Sequence, residues 1–150
     1  MREIKKILFP VDLSEVSSKL APDVIAMGQK FGAEIHLFFV AGSFEKFTTF
    51  YIPHPSLQNF GDEVLKGGQK KLKEFVEEFF SAYPKLKTVV VQGDPAEEIL
   101  KYNASEKIDL VIMGTHGRKG LDRILFGSVA NQVVQNSPAP VLTINPYRQV

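Results

Sequence analysis

Short apolar runs alternate with helical patterns along this chain. Ile7-Leu8-Phe9-Pro10-Val11 is nearly all apolar, which suits a strand covered on both faces. Leu20, Ala21, Val24, Ile25, Gly28 and Phe31 then share one face of a helix. Ser17 or Ser18 is its expected cap, which keeps Pro22 in or near the first turn, and Gly32 sits where a C-terminal cap belongs. Glu34 to Val40 reads as a second buried strand. Residues 41–60 are the least regular stretch, with Gly42, Pro53 and Pro55 interrupting an aromatic segment (Phe44, Phe47, Phe50, Tyr51, Phe60). That segment is too apolar for a linker and reads as a long loop or partial helix, more a lid on the core than a partner site.

Leu57, Phe60, Val64, Leu72, Phe75, Val76, Phe79 and Phe80 recur at helical spacing, and Gly67-Gly68 should weaken that helix in its middle. Thr88 to Val91 predicts a third strand. Asp94-Pro95-Ala96-Glu97 is a strong helix start, with Asp as cap and Pro at the first helical position. Asp109 to Met113 predicts a fourth strand that stops at Gly114. Ser128 is placed to cap a helix running to about Asn136, and Val141 to Ile144 predicts a fifth strand. Strands this apolar cannot belong to a one-sided sheet. The pattern therefore implies an α/β fold: one doubly wound, open, parallel five-stranded sheet with helices on both faces. There is no internal repeat.

Length and composition narrow the function. The chain has 150 residues, 44% of them hydrophobic, enough for one domain with one core. Lys and Arg number 18 against 17 Asp and Glu, a net charge of +1. That balance argues against nucleic acid and against an anionic membrane surface as partners. The absence of cysteine excludes disulfides, thiol catalysis and zinc ribbons. No apolar run approaches the roughly 20 residues of a membrane span, and the N-terminus shows no signal core, so a cytoplasmic protein is expected.

Several chemistries are missing. There is no phosphate-loop G-x-x-x-x-G-K-[ST], no H-E-x-x-H and no G-x-S-x-G. The first strand leads into Val11-Asp12-Leu13-Ser14 without glycine, and the second ends without an acidic residue, so both dinucleotide signals of a Rossmann NAD site are absent. His36, His54 and His116 show no metal-ligand spacing.

After the fourth strand comes Gly114-Thr115-His116-Gly117, then nine residues, then Gly127-Ser128. Gly117 and Gly127 let the backbone approach an anion closely. Gly127-Ser128 would open a helix whose N–H groups favour phosphate, with Arg118, Lys119 and Arg123 adding positive charge. In open α/β sheets a ligand lies beyond the carboxyl ends of strands where strand order reverses. If the first and fourth strands are neighbours there, Pro10-Val11-Asp12 faces Gly114 to Gly117, with Met113 among the candidate ligand contacts, and Asp12 can accept from a base amine or a ribose hydroxyl.

These residues resemble the universal stress proteins. The likeness rests on strand-Pro10-Val11-Asp12-Leu13-Ser14, Gly93-Asp94-Pro95 before a helix, Asp109 to Gly114, G-x2-G-x9-G-S, and Ser137-Pro138-Ala139-Pro140-Val141-Leu142. It covers the chain in order, save residues 41 to about 61. The long glycine signature is similar to the family's ATP-binding branch. The resemblance implies strand order 3-2-1-4-5, adenine near Asp12 and the Val40 backbone, and ribose by Pro10 and Gly114. It places phosphates at Gly117, Arg118, Gly127, Ser128 and Val129. ATP, or ADP or AMP, is the implied ligand, with Mg²⁺ held through the phosphates. Antiparallel pairing of Val141 to Ile144 in a homodimer is implied as well, and an apolar edge strand without a charge invites it.

Each residue also has a plainer reading. Asp12 can end a strand or cap a turn, Gly114 can serve a tight turn, and Ser128 can be an ordinary helix cap. His116 reads as a loop residue packing near the ligand, not a catalyst, and His36 as structural. The expectation is a nucleotide-binding stress-response or signalling module with at most slow ATP hydrolysis. A slow ATPase or nucleotidyl transferase of the same layout, and an adaptor that binds no nucleotide, stay open as alternatives.

Overall fold

The computed structural model describes residues 2–42, 54–116 and 127–147, with 54–59 by backbone alone. The elements are β1 (Lys6–Val11), α1 (Glu15–Phe31), β2 (Glu34–Val40), α2 (His54–Phe79), β3 (Leu86–Val91), α3 (Pro95–Glu106), β4 (Leu110–Gly114), α4 (Ser128–Asn136) and β5 (Val141–Ile144). The strands are parallel in the order β3-β2-β1-β4-β5. Alternate residues of the central strands feed two cores. Ile7, Phe9, Ile35, Leu37 and Ile112 pack with Leu20, Val24, Leu72 and Phe75 of α1 and α2. Leu8, Phe38, Val111 and Met113 pack with Ile99 of α3 and Val133 of α4 on the other face. Two covered faces are the reason these strands carry no polar stripe.

Two local expectations, the cap of α1 and the role of Gly68, are corrected. Neither Ser17 nor Ser18 caps α1: Ser14 does, its side chain accepting from Val16 N–H, and Pro22 stands inside the helix. Pro22 has no N–H to give the carbonyl one turn earlier, a loss the packed helix tolerates because Leu20, Ala21 and Val24 around it are buried. Residues 54–60, read as loop or partial helix with Leu57 and Phe60 at helical spacing, form the first part of α2. Pro55 is compatible with this because a first-turn proline lacks only an N–H that would find no partner. Phe44, Phe47, Phe50 and Tyr51 lie outside the described residues. Gly68 is no mere weak point in α2: a Cβ there would stand 3.0 Å from Ala41 Cβ and 3.1 Å from Val90 Cγ1. The glycine lets the helix lie close on β2 and β3. Gly32 (φ 61°) and the Asp94 cap, which accepts from Glu97 N–H at 3.0 Å, stand as expected.

His36 is structural. It is buried on β2, with Nδ1 2.8 Å from Tyr102 Oη and Nε2 against Glu34 Oε1. Burial lowers its pKa, against the opposing pull of the Glu34 hydrogen bond, and Lys87 and Lys6 lower it further. Burial also pushes Tyr102 up to about 12. Tyr102 therefore keeps its proton and donates to Nδ1, while Nε2–H of the neutral ring donates to Glu34. Unfolded, His36 titrates near 6.5; folded, it titrates lower, so the unfolded chain takes up the proton first. Its contribution to stability is thus full above about pH 6.5 and lost as the pH falls below that. Denaturant unfolding between about pH 7.5 and 5 should show this slope, and His36→Gln should flatten it. An unchanged slope in the variant would assign the dependence elsewhere.

Candidate functional site

The sheet opens between β1 and β4. Lys6 O accepts from Asp109 N and Lys5 O from Glu34 N, so even-numbered residues of β1 turn their backbone groups toward β4 and odd ones toward β2. Pro10 is even. Its missing N–H falls on the β4 side, and the β1–β4 ladder ends at Leu8↔Val111 while the β1–β2 ladder continues to Val11↔Phe39. The strand ends separate, and a cleft of about 580 Å³ lies between them. By the same alternation Val40 faces β1, one step past the last pair. The Leu13 N–H that would reach its carbonyl bonds Ser17 Oγ instead, at 3.2 Å.

Asp12 stands where β1 ends and lines the cleft. Its Oδ1 accepts from Ser14 N–H (2.9 Å), Ser14 Oγ (2.6 Å) and Ser17 Oγ (2.9 Å). Leu13 beside it has φ 60°, left-handed backbone that a leucine seldom adopts. The turn reading of Asp12 is thus true of Oδ1, while Oδ2 accepts from no described residue.

The two described glycines of the signature do different work. At Gly114 a Cβ would meet Leu20 Cδ1 and Val16 Cγ1 at 3.0 Å and the His116 carbonyl at 3.1 Å, so glycine lets β4 pack closely against α1. At Gly127 a Cβ would meet no described residue within 4 Å, and φ −59° with ψ 157° suits any residue. Ser128 does not cap α4, which corrects the earlier expectation: Gly127 holds the cap position, and no described side chain caps the helix. No acidic residue occupies its first turn. His116 has Nδ1 2.9 Å from Thr115 Oγ1, and its ring stands edge-on to Tyr147 with centroids 5.1 Å apart. Lys19 Nζ lies 4.6 Å over the same Tyr147 ring. Gly117, Arg118, Lys119 and Arg123 lie outside the described residues.

The universal stress protein family model matches residues 3–145. The chain belongs to the universal stress protein family. Among its relatives are the universal stress protein MJ0531 of Methanocaldococcus jannaschii, 36% identical over 93% of this chain and 81% of that one. Another from the same organism, MJ0577, is 32% identical over 93% of this chain and 94% of its own. The solved structure of MJ0577 superposes with a TM-score of 0.83 at 30% identity, covering 99% of both chains. More distant members share the fold. An Arabidopsis thaliana protein with AMP bound has a TM-score of 0.64 at 18% identity, covering 94% of this chain and 91% of its own. A universal stress protein in complex with cAMP gives 0.61 at 17%, covering 97% and 99%.

In this universal stress protein, every expected site residue that is described lines the one cleft: Pro10, Val11, Asp12, Val40, Met113, Gly114, His116, Gly127, Ser128 and Val129. Sequence reasoning missed its apolar walls, made by Val16 and Leu20 of α1, Phe38 and Phe39 of β2, and Pro95 and Ile99 of α3. It also missed Ser17. Phe38 and Phe39 carried a signal, being adjacent to Val40 on a strand. Pro95 and Ile99 carried none, because α3 reaches the cleft by packing against β2 and α4, which are distant in sequence. Among the described residues, no group of three or more His, Cys, Asp or Glu could hold a metal ion. No described helix is long and apolar enough to cross a membrane.

Proposed function

We propose that this cleft binds ATP, or its ADP or AMP forms, and that the chain is a single nucleotide-binding domain acting in the cytoplasm as a stress-response or signalling module. The observation that carries the reading is the junction of β1, β4 and α4. An apolar-walled cleft large enough for a nucleotide ends at a helix start that no described side chain caps, with no described residue over Gly127. The bound AMP and cAMP of the two distant family members are in keeping with it. Asp12 and Val40 take the adenine and ribose end. Gly127, Ser128 and Val129 take the phosphates together with Gly117 and Arg118, and any Mg²⁺ rides on the phosphates. Such a site binds ground and transition states about equally, giving affinity without rate, so turnover below about 1 s⁻¹ is expected. Mass spectrometry of whatever is released on denaturing freshly purified protein, followed by calorimetric titration with ATP, tests the reading. An empty protein that ATP does not heat or cool would overturn it in favour of an adaptor.

The same proposal includes a homodimer through β5. The two sheet edges differ: β3 exposes Lys87 and Thr88, whereas Val141 to Ile144 carries no charge and leaves Leu142 37% exposed. A charged edge discourages strand addition and an uncharged one permits it. Light scattering at micromolar concentration should give twice the chain mass, and Leu142→Lys with Thr143→Lys should return the monomer. A monomeric native protein, or a dimer indifferent to both lysines, contradicts this.

A further inference from the structure

The turn between β1 and α1 is built around a buried hydroxyl. Ser17, 3% exposed, accepts from Asp12 N–H at 3.1 Å and Leu13 N–H at 3.2 Å, and donates to Asp12 Oδ1 at 2.9 Å. Ser14 places two further donors on that same oxygen. Satisfying the turn's backbone requires only the two N–H bonds. The third bond does something else: it ties the Asp12 carboxylate to the helix that walls the cleft, loading Oδ1 with three donors and leaving Oδ2 with none from the described residues.

The geometry points to Ser17 as the positioning residue of Asp12, holding its carboxylate in one rotamer so that Oδ2 is the acceptor offered to a donor on the ligand. This rests on the nucleotide reading of the cleft, and the donor is a sugar hydroxyl or a base amine. Without the Ser17 hydroxyl, Asp12 keeps its place in the chain and its Ser14 donors but loses the bond from α1, and its side chain, held from one side only, samples more than one staggered rotamer. Selectivity for the donor then falls, whereas contacts at the phosphate end are unaffected.

The test has one arm without ligand. In the free protein, Hα–Hβ couplings of Asp12 measured by NMR should report one staggered rotamer, and in Ser17→Ala an average over several. In the ligand arm, the native protein should prefer ATP about tenfold over 2′,3′-dideoxy-ATP if the donor is on the sugar. It should prefer ATP by a like factor over inosine triphosphate if the donor is the base amine. Ser17→Ala should bring that preference below twofold, with affinity for the analogue lacking the donor little changed. Ser17→Thr, which keeps the hydroxyl, should restore both readouts. Should Ser17→Ala not fold, Ser14→Ala removes one donor from the same oxygen and should show partial averaging and a reduced preference. A single Asp12 rotamer in the variant, or full discrimination retained, overturns the positioning role alone. A native protein that binds neither ATP nor the analogues overturns the nucleotide reading and this role with it.

Discussion

Gly127→Val is expected to weaken ATP binding at least tenfold, a cost of about 1.4 kcal/mol, and to leave the fold as stable as before. The backbone at Gly127 is ordinary for any residue, and an added Cβ would meet no described residue within 4 Å, so the substitution strains none of the described packing. The open space it fills is the space in which a phosphate would approach the start of α4. A valine there keeps the anion off the helix N–H groups and forfeits the interaction that the helix start provides. Thermal unfolding of the variant without ligand should match the native protein, while calorimetry with ATP should show the loss. Unchanged affinity would remove the phosphate end of the site from α4.

Gly114→Val should do the reverse, lowering stability by about 2 kcal/mol through overpacking. For a chain of this size that is a fall in Tm of roughly 4–8 °C. The Cβ alone would press on Leu20 Cδ1, Val16 Cγ1 and the His116 carbonyl, and the last of these is backbone that cannot swing aside. The two γ-methyls add to the conflict at the seam between β4 and α1. Chemical denaturation compares the variants directly. A Gly114→Val protein as stable as the native one would show that α1 can shift away from β4 without cost, and that glycine stands there for the ligand instead.

These two glycines belong to one sequence signature, and nothing in the signature distinguishes them. The spacing G-x2-G-x9-G-S marks an anion-binding turn but is silent on what lies above each Cα. Gly114 is held by side chains of α1, almost a hundred residues earlier in the chain, and Gly127 by no described residue within reach. Asp12 divides in the same way. Its position at a strand end was legible, whereas the sharing of its two oxygens between the turn and the cleft depends on how Ser14 and Ser17 close around it. Ser17 itself was read as a helix cap, because a serine before an apolar helical run fits that role locally. Only the left-handed Leu13, which folds the chain back over Asp12, turns its hydroxyl to another use.

The sequence by itself determined the elements and the class of fold. Apolar runs without a polar stripe demand a sheet covered on both sides, and helix ends such as Asp94-Pro95 and Gly32 are written in residues that act on their immediate neighbours. It also marked part of the cleft's lining, through a strand-end aspartate, a glycine pattern and a family likeness, but not its apolar walls. The tertiary structure decided what joins them. That β1 lies between β2 and β4 is fixed by bonds such as Lys6 O to Asp109 N, across a separation no local pattern records. The missing N–H of Pro10 becomes the end of a ladder only once β4 stands on that side of it. Burial periodicity and capping act over a few residues and can be read along the chain. A cleft is made by the register between distant strands and by the helices laid across them, and it exists only when they meet.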